Sequence, residues 1–470
     1  MLALSGIFNT TNLIEKEIKN QKFINNYNQI FKTVNKSNLI VDYIDTDYKQ
    51  CFFEKNKNKF CIVVGDIFEQ QVISKKISKS EYLYNIYKFK GVNNINNING
   101  SFMYLIYDKN KLYLGKDPNS IIPCYYYFNK KKFIFSNDLK KILYLDSNHR
   151  LNLTNIFTPI LCGGIYLDNT TFYKNYFKLE PGSFLKINKG KLSIKKFSYF
   201  SFIENKELGL EYYIDNAINL LENAINIRAK KFSKIKLGLS GGLDSRILLS
   251  IIKRKNLNVD TFTYGTGNFV ENDIAKKVAN FFNVKHKYIN ISKSLYLSNS
   301  NKSLLESNAL LTTNMSPQIN IFNKLFNKKT CLLFGTFLDY LIGNSGYSNN
   351  LFQIKKVSDL KNYYLNGNLI KYKREDFLNF FSNKKTGNLI YDNIISKLFY
   401  SLESIEYDNI PNLNNSFFFS NRGKRWHNNT LLPALIKNQL IIPSYDRYFL
   451  NFISKIPSKY KKNDCFRLKL

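Results

Sequence analysis

Residues 235–255 read IKLGLSGGLDSRILLSIIKRK, and this stretch decides the fold of the second half of the chain. Ile235–Leu239 predicts a β-strand, and Ser245–Lys255 predicts a helix. Two adjacent glycines, Gly241 and Gly242, lie between them. Glycines allow a backbone to take positive φ and to approach a ligand without a Cβ in the way. The order of strand, glycine turn and helix predicts one βα unit.

Alternation of strands and helices continues on both sides of this unit. The pattern predicts an amphipathic helix over Leu210–Ala229, strands over Val259–Tyr264, His286–Ile291 and Cys331–Phe334, and a helix over Asp273–Phe282. Such alternation is typical of right-handed βαβ units around a parallel sheet. Because ligands of these sheets bind at the carboxyl ends of the strands, the glycine turn lies on the expected binding edge.

The side chains of the turn indicate a site for a phosphate group. Ser240, Ser245 and the N–H groups of the first helical turn supply donors for an oxyanion or a pyrophosphate. Asp244 would repel phosphate oxygens unless a divalent cation accompanied them. The motif is not a Walker loop, which requires GxxxxGK[ST]. The alternative is a purely structural turn with an acid near the start of a helix.

The first half of the chain has a different pattern. Short segments rich in Tyr, Phe, Ile and Val alternate with polar turns and predict an antiparallel sheet domain. The predicted strands are Lys59–Val64, Ser101–Tyr107, Lys111–Gly115, Cys124–Phe128, Lys132–Ser136, Ser183–Ile187 and Lys191–Phe197.

Composition restricts the class of protein. The chain has 470 residues, 44% of them hydrophobic, which predicts two or three domains with packed cores. The net charge of +34 would fit a polyanionic partner. However, Lys, Asn, Ile, Phe and Tyr, which have codons built only from A and T, dominate the sequence together. We therefore attribute the excess Lys to solvated surface and disfavour a nucleic-acid groove. Six scattered cysteines predict neither a zinc site nor a disulfide framework. No apolar run approaches a membrane span, so we expect a cytoplasmic, soluble protein without a membrane partner.

Leu239–Ser245 resembles the pyrophosphate-binding loop of the N-type ATP pyrophosphatases. Motifs through nearly all of the chain narrow the resemblance to the asparagine synthetase family, whose relatives include β-lactam synthetase and lasso-peptide cyclase. In order, these motifs are Ser5–Asn9, Gly100–Phe102, Tyr107–Asp108, Lys116–Pro118, Pro123, Tyr125, Phe135–Ser136, Leu179–Gly182, Thr261–Gly265, Glu271, Ala275, Ala279, His286, Gly335, Asp339, Gly343, Pro443 and Asp446.

The resemblance implies an α/β protein of two domains. Residues 1–205 would form an Ntn-hydrolase-like αββα sandwich of the type 2 glutamine amidotransferase kind. Residues 206–470 would form a parallel-sheet ATP-pyrophosphatase domain, similar to the adenine nucleotide alpha-hydrolases. The implied reaction activates a carboxylic acid, such as aspartate or an analogue, on ATP. Pyrophosphate leaves, and ammonia or another amine then displaces AMP to form an amide. A homodimer is left open.

The resemblance also implies the binding residues. Leu239 and Tyr264 would contact the adenosine through backbone groups. Asp244 and Asp339 would be the two carboxylates of a magnesium site. The expected ATP-binding set is Leu239, Ser240, Gly241, Gly242, Asp244, Ser245, Tyr264 and Gly335. No catalytic residue is assigned.

The chain departs from the family pattern at several positions. Leu2 stands where the amidotransferase domain has its nucleophilic cysteine, so we expect the first half to release no ammonia and to serve as a scaffold. Thr336 and Tyr340 stand where the family usually has acids. A basic residue normally follows the C-terminal motif, and either Arg467 or Lys469 is a candidate that the spacing does not assign.

Several functions remain open at this point. The leading interpretation is an amide ligase without its own glutaminase. Within the same class, a lost glutaminase also fits a ring-forming ligase of the β-lactam or lasso-peptide kind. A tRNA-thiolating pyrophosphatase is disfavoured because sulfur transfer needs a positioned cysteine pair. A catalytically degenerate member of the family is the remaining alternative.

Overall fold

The computed structural model describes most of the chain. The described residues are 4–9, 31–36, 38–44, 51–54, 59–119, 121–129, 132–144, 149–197, 200–205, 208–267, 269–292, 294–295, 300–306, 321–322, 324–325, 327, 329–343, 347–427, 431 and 440–470. By their contacts, residues fall into two compact units: Met1–Phe157 with Asp168–Tyr199, and Thr158–Leu167 with Phe200–Leu470. The domain division expected after residue 205 remains a prediction.

The strands of the first unit form two antiparallel sheets. In chain order they are β1 (Leu4–Asn9), β2 (Phe31–Lys36), β3 (Leu39–Ile44), β4 (Cys51–Phe53), β5 (Lys59–Ile67), β6 (Gly100–Asp108), β7 (Lys111–Lys116), β8 (Tyr125–Phe128), β9 (Lys132–Ser136), β10 (Tyr176–Lys178), β11 (Ser183–Asn188) and β12 (Lys191–Lys196). One sheet has the order β10-β8-β9-β1-β3-β2, and the other has the order β12-β11-β7-β6-β5-β4. Apolar side chains of the second sheet pack against a helix over Lys79–Lys90.

The second unit is built on a parallel sheet. Its strands are β13 (Lys234–Gly238), β14 (Val259–Gly265), β15 (His286–Asn290), β16 (Thr330–Leu333) and β17 (Leu440–Ile441). The order is β15-β14-β13-β16-β17, and every pairing is parallel. The mixed α/β class expected from the sequence is therefore confirmed.

Helices complete both units, and among the described residues none is long and apolar enough to cross a membrane. The α-helices are α1 (Gln70–Ile73), α2 (Lys79–Lys90), α3 (Leu139–Tyr144), α4 (Leu153–Leu161), α5 (Leu210–Ala229), α6 (Leu243–Arg254), α7 (Val270–Phe281), α8 (Ser300–Glu306), α9 (Leu338–Ile342), α10 (Asn349–Gln353), α11 (Val357–Tyr363), α12 (Arg374–Leu378), α13 (Lys384–Glu403), α14 (Ile410–Phe418), α15 (Arg447–Ile453), α16 (Ser458–Lys461) and α17 (Cys465–Lys469). Shorter 3-10 or π segments cover Val92–Asn97, Tyr364–Asn368, Phe419–His427, Pro443–Tyr445 and Lys462–Asp464.

The order of the parallel sheet contains a switch point. The chain passes from β13 to β14 and β15 on one side, and it then returns to β16 on the other side of β13. Loops that leave β13 and β16 therefore diverge above the sheet and leave a crevice, which is where open α/β sheets bind ligands. The glycine turn follows β13, and Asp339 lies in α9 after β16.

The predicted elements of this half agree with the structure to within three residues. Helix α5 has the predicted bounds, while α6 begins at Leu243 rather than Ser245 and α7 begins at Val270 rather than Asp273. The apolar pattern marks the buried stripe of a helix but not its first turn, which explains the late predicted starts. The two-residue strand β17 was not predicted, because it is too short for a periodic signal.

A buried ion pair anchors the segment beside the switch point. Arg228 Nη1 of α5 donates to Asp446 Oδ2 at 2.8 Å, and both side chains are at most 5% exposed. The other carboxylate oxygen of Asp446 caps α15 by accepting from the backbone N–H groups of Tyr448 and Phe449. Just before it, Ser444 Oγ donates to the carbonyl of Thr336 at 2.6 Å, so this anchor extends to the loop after β16.

We expect Arg228→Met to lower the free energy of unfolding of the second unit by about 3–5 kcal/mol, because it leaves the Asp446 carboxylate buried without its guanidinium. The matched control is Arg374→Met. Arg374 pairs with Asp392, but its side chain is 46% exposed and that of Asp392 is 58% exposed, so the expected loss is within about 1 kcal/mol. Chemical denaturation of both variants measures the difference. Equal losses would show that burial of the Arg228 pair is unimportant.

Candidate functional site

The loop after β13 is held in shape by its own hydroxyl groups. Ser245 Oγ lies 3.1 Å from the Ser240 backbone N–H, the Ser240 carbonyl and the Gly242 carbonyl. Ser240 Oγ accepts from the Gly242 N–H at 3.2 Å, and Arg246 donates to the Gly241 carbonyl. Ser245 is buried, so in this structure its hydroxyl braces the loop, whereas Ser240 is exposed.

The two glycines of the loop do not take the conformation that the sequence suggested. Neither Gly241 nor Gly242 has positive φ, and Gly242 lies at φ −80°, ψ 160°. An added Cβ would approach neighbouring atoms no closer than 3.4 Å at Gly241 and 3.2 Å at Gly242. The expectation that these two glycines serve to allow positive φ is therefore wrong. What glycine provides here is backbone without a side chain at the start of α6, where the N–H groups of the first turn face outward.

Gly335 has a steric reason to be glycine. An added Cβ would lie 2.8 Å from Asp244 Cβ and 3.4 Å from the carbonyl carbon of Asp244. Real Cβ atoms do not approach so closely, so any side chain at this position would push the start of α6 away from the loop after β16. Gly335 thus brings the backbones that carry Asp244 and Asp339 together.

Asp244 and Asp339 meet at the switch point. The Asp339 backbone N–H donates to Asp244 Oδ2 at 3.2 Å. Arg467 Nη1, from α17, donates to Asp244 Oδ1 at 3.3 Å and also to Asp339 Oδ1. One guanidinium nitrogen therefore lies within hydrogen-bond distance of both carboxylates, which partly neutralises two like charges.

Asp464 contacts the arginine, and Gly343 leaves room for it. Asp464 Oδ2 accepts from Arg467 Nη2 at 3.1 Å. An added Cβ at Gly343 would lie 2.7 Å from Asp339 Oδ1 and 3.0 Å from Arg467 Nη1, so a side chain there would obstruct the pair. The sequence contained Gly343 as a motif residue but offered no signal for Asp464, because its contact depends on the fold of the C-terminal segment.

These groups surround a cavity of about 420 Å³. Its lining combines the glycine turn, both carboxylates and the C-terminal segment; the residues are Ser240, Gly242, Leu243, Asp244, Asp339, Asp464 and Arg467. A cavity of this size is within the usual range for small-molecule sites. Of the predicted binding set, Ser240, Gly242 and Asp244 line it together with Asp339.

The electrostatics of the cavity favour a cation beside Asp244. Burial raises the pKa of Asp244 to about 6, the Arg467 guanidinium opposes this shift, and the nearby Asp339 carboxylate adds to it. A carboxyl group with a raised pKa is stabilised in its charged form by an added positive charge. A cation beside Asp244 therefore stabilises its carboxylate form.

The donor set fits a magnesium ion that is also held by phosphate. Asp244 and Asp339 provide the oxygen ligands that Mg²⁺ prefers, and the position of Arg467 Nη1 shows that a positive charge is accommodated between them. In the part of the chain that the structure describes, no group of three or more His, Cys, Asp and Glu is placed to hold a metal by itself. Magnesium here would need phosphate oxygens to complete its coordination.

The other predicted ATP-binding residues are not part of the cavity lining. Leu239 is buried, its N–H donates to the Phe262 carbonyl at 2.8 Å, and its carbonyl accepts from Thr263 Oγ1. Tyr264 lies at the carboxyl end of β14 on the same edge of the sheet. The adenosine contacts expected of Leu239 and Tyr264 remain predictions.

The positions that depart from the family pattern have other contacts. The Thr336 carbonyl accepts from Ser444, and the Tyr340 ring stacks on Phe418 with centroids 6.2 Å apart. Lys469 Nζ lies 3.7 Å from Glu211, so of the two basic candidates only Arg467 reaches the carboxylates. Leu2 lies outside the described residues, and the lost nucleophile remains a prediction.

Comparison with known proteins identifies both halves. A family model for the glutamine amidotransferase domain matches residues 38–198, and one for asparagine synthase matches residues 217–328. A putative glutamine-hydrolysing asparagine synthetase 2 of Methanocaldococcus jannaschii is 28% identical over 217 residues, covering 44% of this chain and 42% of the relative. The microcin J25-processing protein McjC of Escherichia coli is 26% identical over 228 residues, covering 46% of this chain and 42% of the relative.

The aligned region spans less than half the length of these curated relatives. Among solved structures, the NH3-dependent NAD synthetase from Campylobacter jejuni in complex with nitrate aligns at 14% identity. The alignment covers 43% of this chain and 99% of that one, with a TM-score of 0.23, too low to carry an argument. The fold class rests instead on the two domain matches and on the sheet order.

A half that matches a glutamine amidotransferase domain precedes a parallel sheet with an asparagine synthase match, and the glycine turn lies at the switch point of that sheet. The chain is similar in both halves to the asparagine synthetase family.

Proposed function

We propose that this protein is an ATP-dependent amide ligase that forms AMP and pyrophosphate. The observation that carries the proposal is the cavity at the switch point, where the glycine turn, Asp244 and Asp339 come together. A phosphate-type loop and two carboxylates in one crevice suit a magnesium-bound nucleotide. Similarity to the asparagine synthase domain and to asparagine synthetases supports a ligase reaction.

The chain's own groups have distinct tasks in this reaction. The backbone of Ser240–Gly242 and the first turn of α6 bind the β- and γ-phosphates, and Asp244 and Asp339 hold Mg²⁺, which neutralises phosphate charge when bound. A substrate carboxylate oxygen bonds to the α-phosphorus, and the bond to pyrophosphate breaks. An amine nitrogen then bonds to the acyl carbon and loses a proton, and AMP leaves. Arg467 lines the cavity and is the cation that would stabilise charge on the α-phosphate during the attack by the carboxylate.

The proposed substrates are a carboxylic acid, aspartate or an analogue, and ammonia or another amine supplied without a glutaminase step. Leu2 in place of cysteine supports the second part. The match to the microcin J25-processing protein favours a second candidate within the same class, in which the amine and the carboxylate belong to one molecule and a ring is formed. Both candidates share the adenylation step.

A sulfur-transferring pyrophosphatase is not supported. Cys331 lies on β16 beneath the site, and burial raises the pKa of its thiol to about 12. Such a thiol is almost fully protonated at neutral pH and is a poor nucleophile. Exchange of pyrophosphate into ATP distinguishes an active ligase from a catalytically degenerate protein.

We expect wild-type protein to exchange pyrophosphate into ATP with at least one acid in a panel of free amino acids and peptide carboxylates, and Asp244→Asn to lower the rate at least 100-fold. The asparagine side chain keeps the shape but loses the charge that holds the metal. Asp359→Asn is the control, since Asp359 is an exposed first-turn acid of α11. Absence of exchange and of ATP binding in the wild type would refute the ligase.

The raised pKa of Asp244 predicts how stability depends on pH without ligands. The folded state binds this proton more tightly than the unfolded state, so the stability of the wild type falls as pH rises from about 4 through about 6. Asp244→Asn lacks this titration. Its melting temperature, relative to wild type, should therefore rise between pH 4.5 and pH 7.5 in ligand-free buffer. A constant difference would contradict the assignment.

Gly242→Ala tests whether the turn serves a ligand or only the fold. Gly242 caps α6 at negative φ, so alanine fits the backbone, but the methyl group faces the cavity lining. We expect at least ten-fold weaker ATP binding by calorimetry and a melting temperature within about 2 °C of wild type. Gly209→Ala is matched, because Gly209 caps α5 at φ −58° with no atom near its added Cβ. Unchanged ATP affinity in Gly242→Ala would argue for a structural turn.

A further inference from the structure

Arg467 lies where the negative charges of the site favour a cation. Its Nη1 contacts both Asp244 and Asp339, and its side chain is only 14% exposed. Its Nη2 contacts Asp464 at 3.1 Å. Within the described residues, three carboxylates thus share one guanidinium, and the cavity they line opens directly beside it.

Two carboxylates that share one nitrogen repel each other strongly unless a positive charge lies between them. The guanidinium meets this need in the structure. A metal ion bound to the same two carboxylates would meet it as well, but the guanidinium nitrogen and a metal cannot both lie at one point. The position between Asp244 and Asp339 therefore has two competing occupants, and only one of them is covalently attached to the chain.

The arginine is held in a way that permits it to leave this position. Its Nε is buried and has no hydrogen-bond partner among the described residues, so the guanidinium is incompletely satisfied. The contact with Asp464 is local, since the two residues are three apart in sequence. It therefore does not depend on the contacts with Asp244 and Asp339. Helix α17, which carries Arg467, is only five residues long.

We propose that Arg467 is an internal counter-cation: it lies between Asp244 and Asp339 in the nucleotide-free protein and leaves that position when a divalent metal and nucleotide bind. Asp464 keeps Nη2 at the edge of the cavity during this change, so the guanidinium turns toward the phosphates rather than into solvent. This inference rests on the proposed function. It adds that nucleotide binding is coupled to a rearrangement at α17.

One consequence is that metal affinity is set by competition. Each contact between Arg467 and a carboxylate must be broken before a metal binds there, so removal of the arginine should strengthen metal binding even if it abolishes turnover. A residue that only contributes to folding would not act in this direction. The same reasoning predicts that weakening the Asp464 contact has a smaller effect of the same sign.

The test measures Mn²⁺ alone, by electron paramagnetic resonance of free and bound ion, on the full chain without nucleotide. We expect Arg467→Met to bind Mn²⁺ at least ten-fold more tightly than wild type, and Asp464→Asn to lie between the two. Asparagine suits position 464, because Asp464 has φ 57° and Asn tolerates this conformation. Circular dichroism confirms that each variant is folded.

Lys469→Met is the matched control, since it removes one positive charge from the same helix. Lys469 lies 3.7 Å from the exposed Glu211 rather than from the cavity carboxylates, so its Mn²⁺ affinity should stay within two-fold of wild type. Equal tightening in Lys469→Met and Arg467→Met would overturn the proposal, as would no tightening in Arg467→Met. Pyrophosphate exchange by the wild type is a separate readout. Its absence alongside the expected Mn²⁺ order would refute the ligase while leaving the counter-cation in place.

Discussion

Parallel pairing of β13 with β16 is the constraint on which the site depends. Ile235 pairs with Cys331 and Leu237 with Leu333, so both strands end at the same edge of the sheet. The segments that follow them begin helices α6 and α9, whose first turns carry Asp244 and Asp339, 95 residues apart in sequence. Because the strand order reverses between β13 and β16, the segments that follow them diverge and leave a cavity at this edge of the sheet.

Close approach of these two loops creates an electrostatic problem that the rest of the site addresses. Gly335 removes the side chain that would hold the loops apart, and the Asp339 N–H donates to Asp244. The remaining repulsion is offset by Arg467. Gly343 leaves room for its guanidinium, and Asp464 accepts a hydrogen bond from it. The role of each of these residues depends on the others. A site that already needs a cation is well suited to a metal-bound polyanion.

The glycine turn shows how a motif can be correct for a reason other than the expected one. Gly241 and Gly242 are not in the left-handed region, and the surrounding protein would admit a Cβ at each. The loop is shaped instead by Ser245, whose buried hydroxyl contacts three backbone groups. A backbone that carries no side chain and adopts an ordinary conformation is consistent with a surface that a ligand approaches closely.

The amino-acid sequence by itself predicted the alternation of strands and helices, the α/β class and the turn that carries Ser240 and Asp244, and the family resemblance added Asp339. Periodicity and local motifs carry that information, because they depend on residues close together in the chain. Only the tertiary structure decided that Arg467 rather than Lys469 joins the carboxylates, and that Gly335, Gly343 and Asp464 govern their approach. Those contacts link residues up to 223 positions apart. Spacing along the chain cannot encode them, since they depend on how β16 and α17 pack against the start of α6.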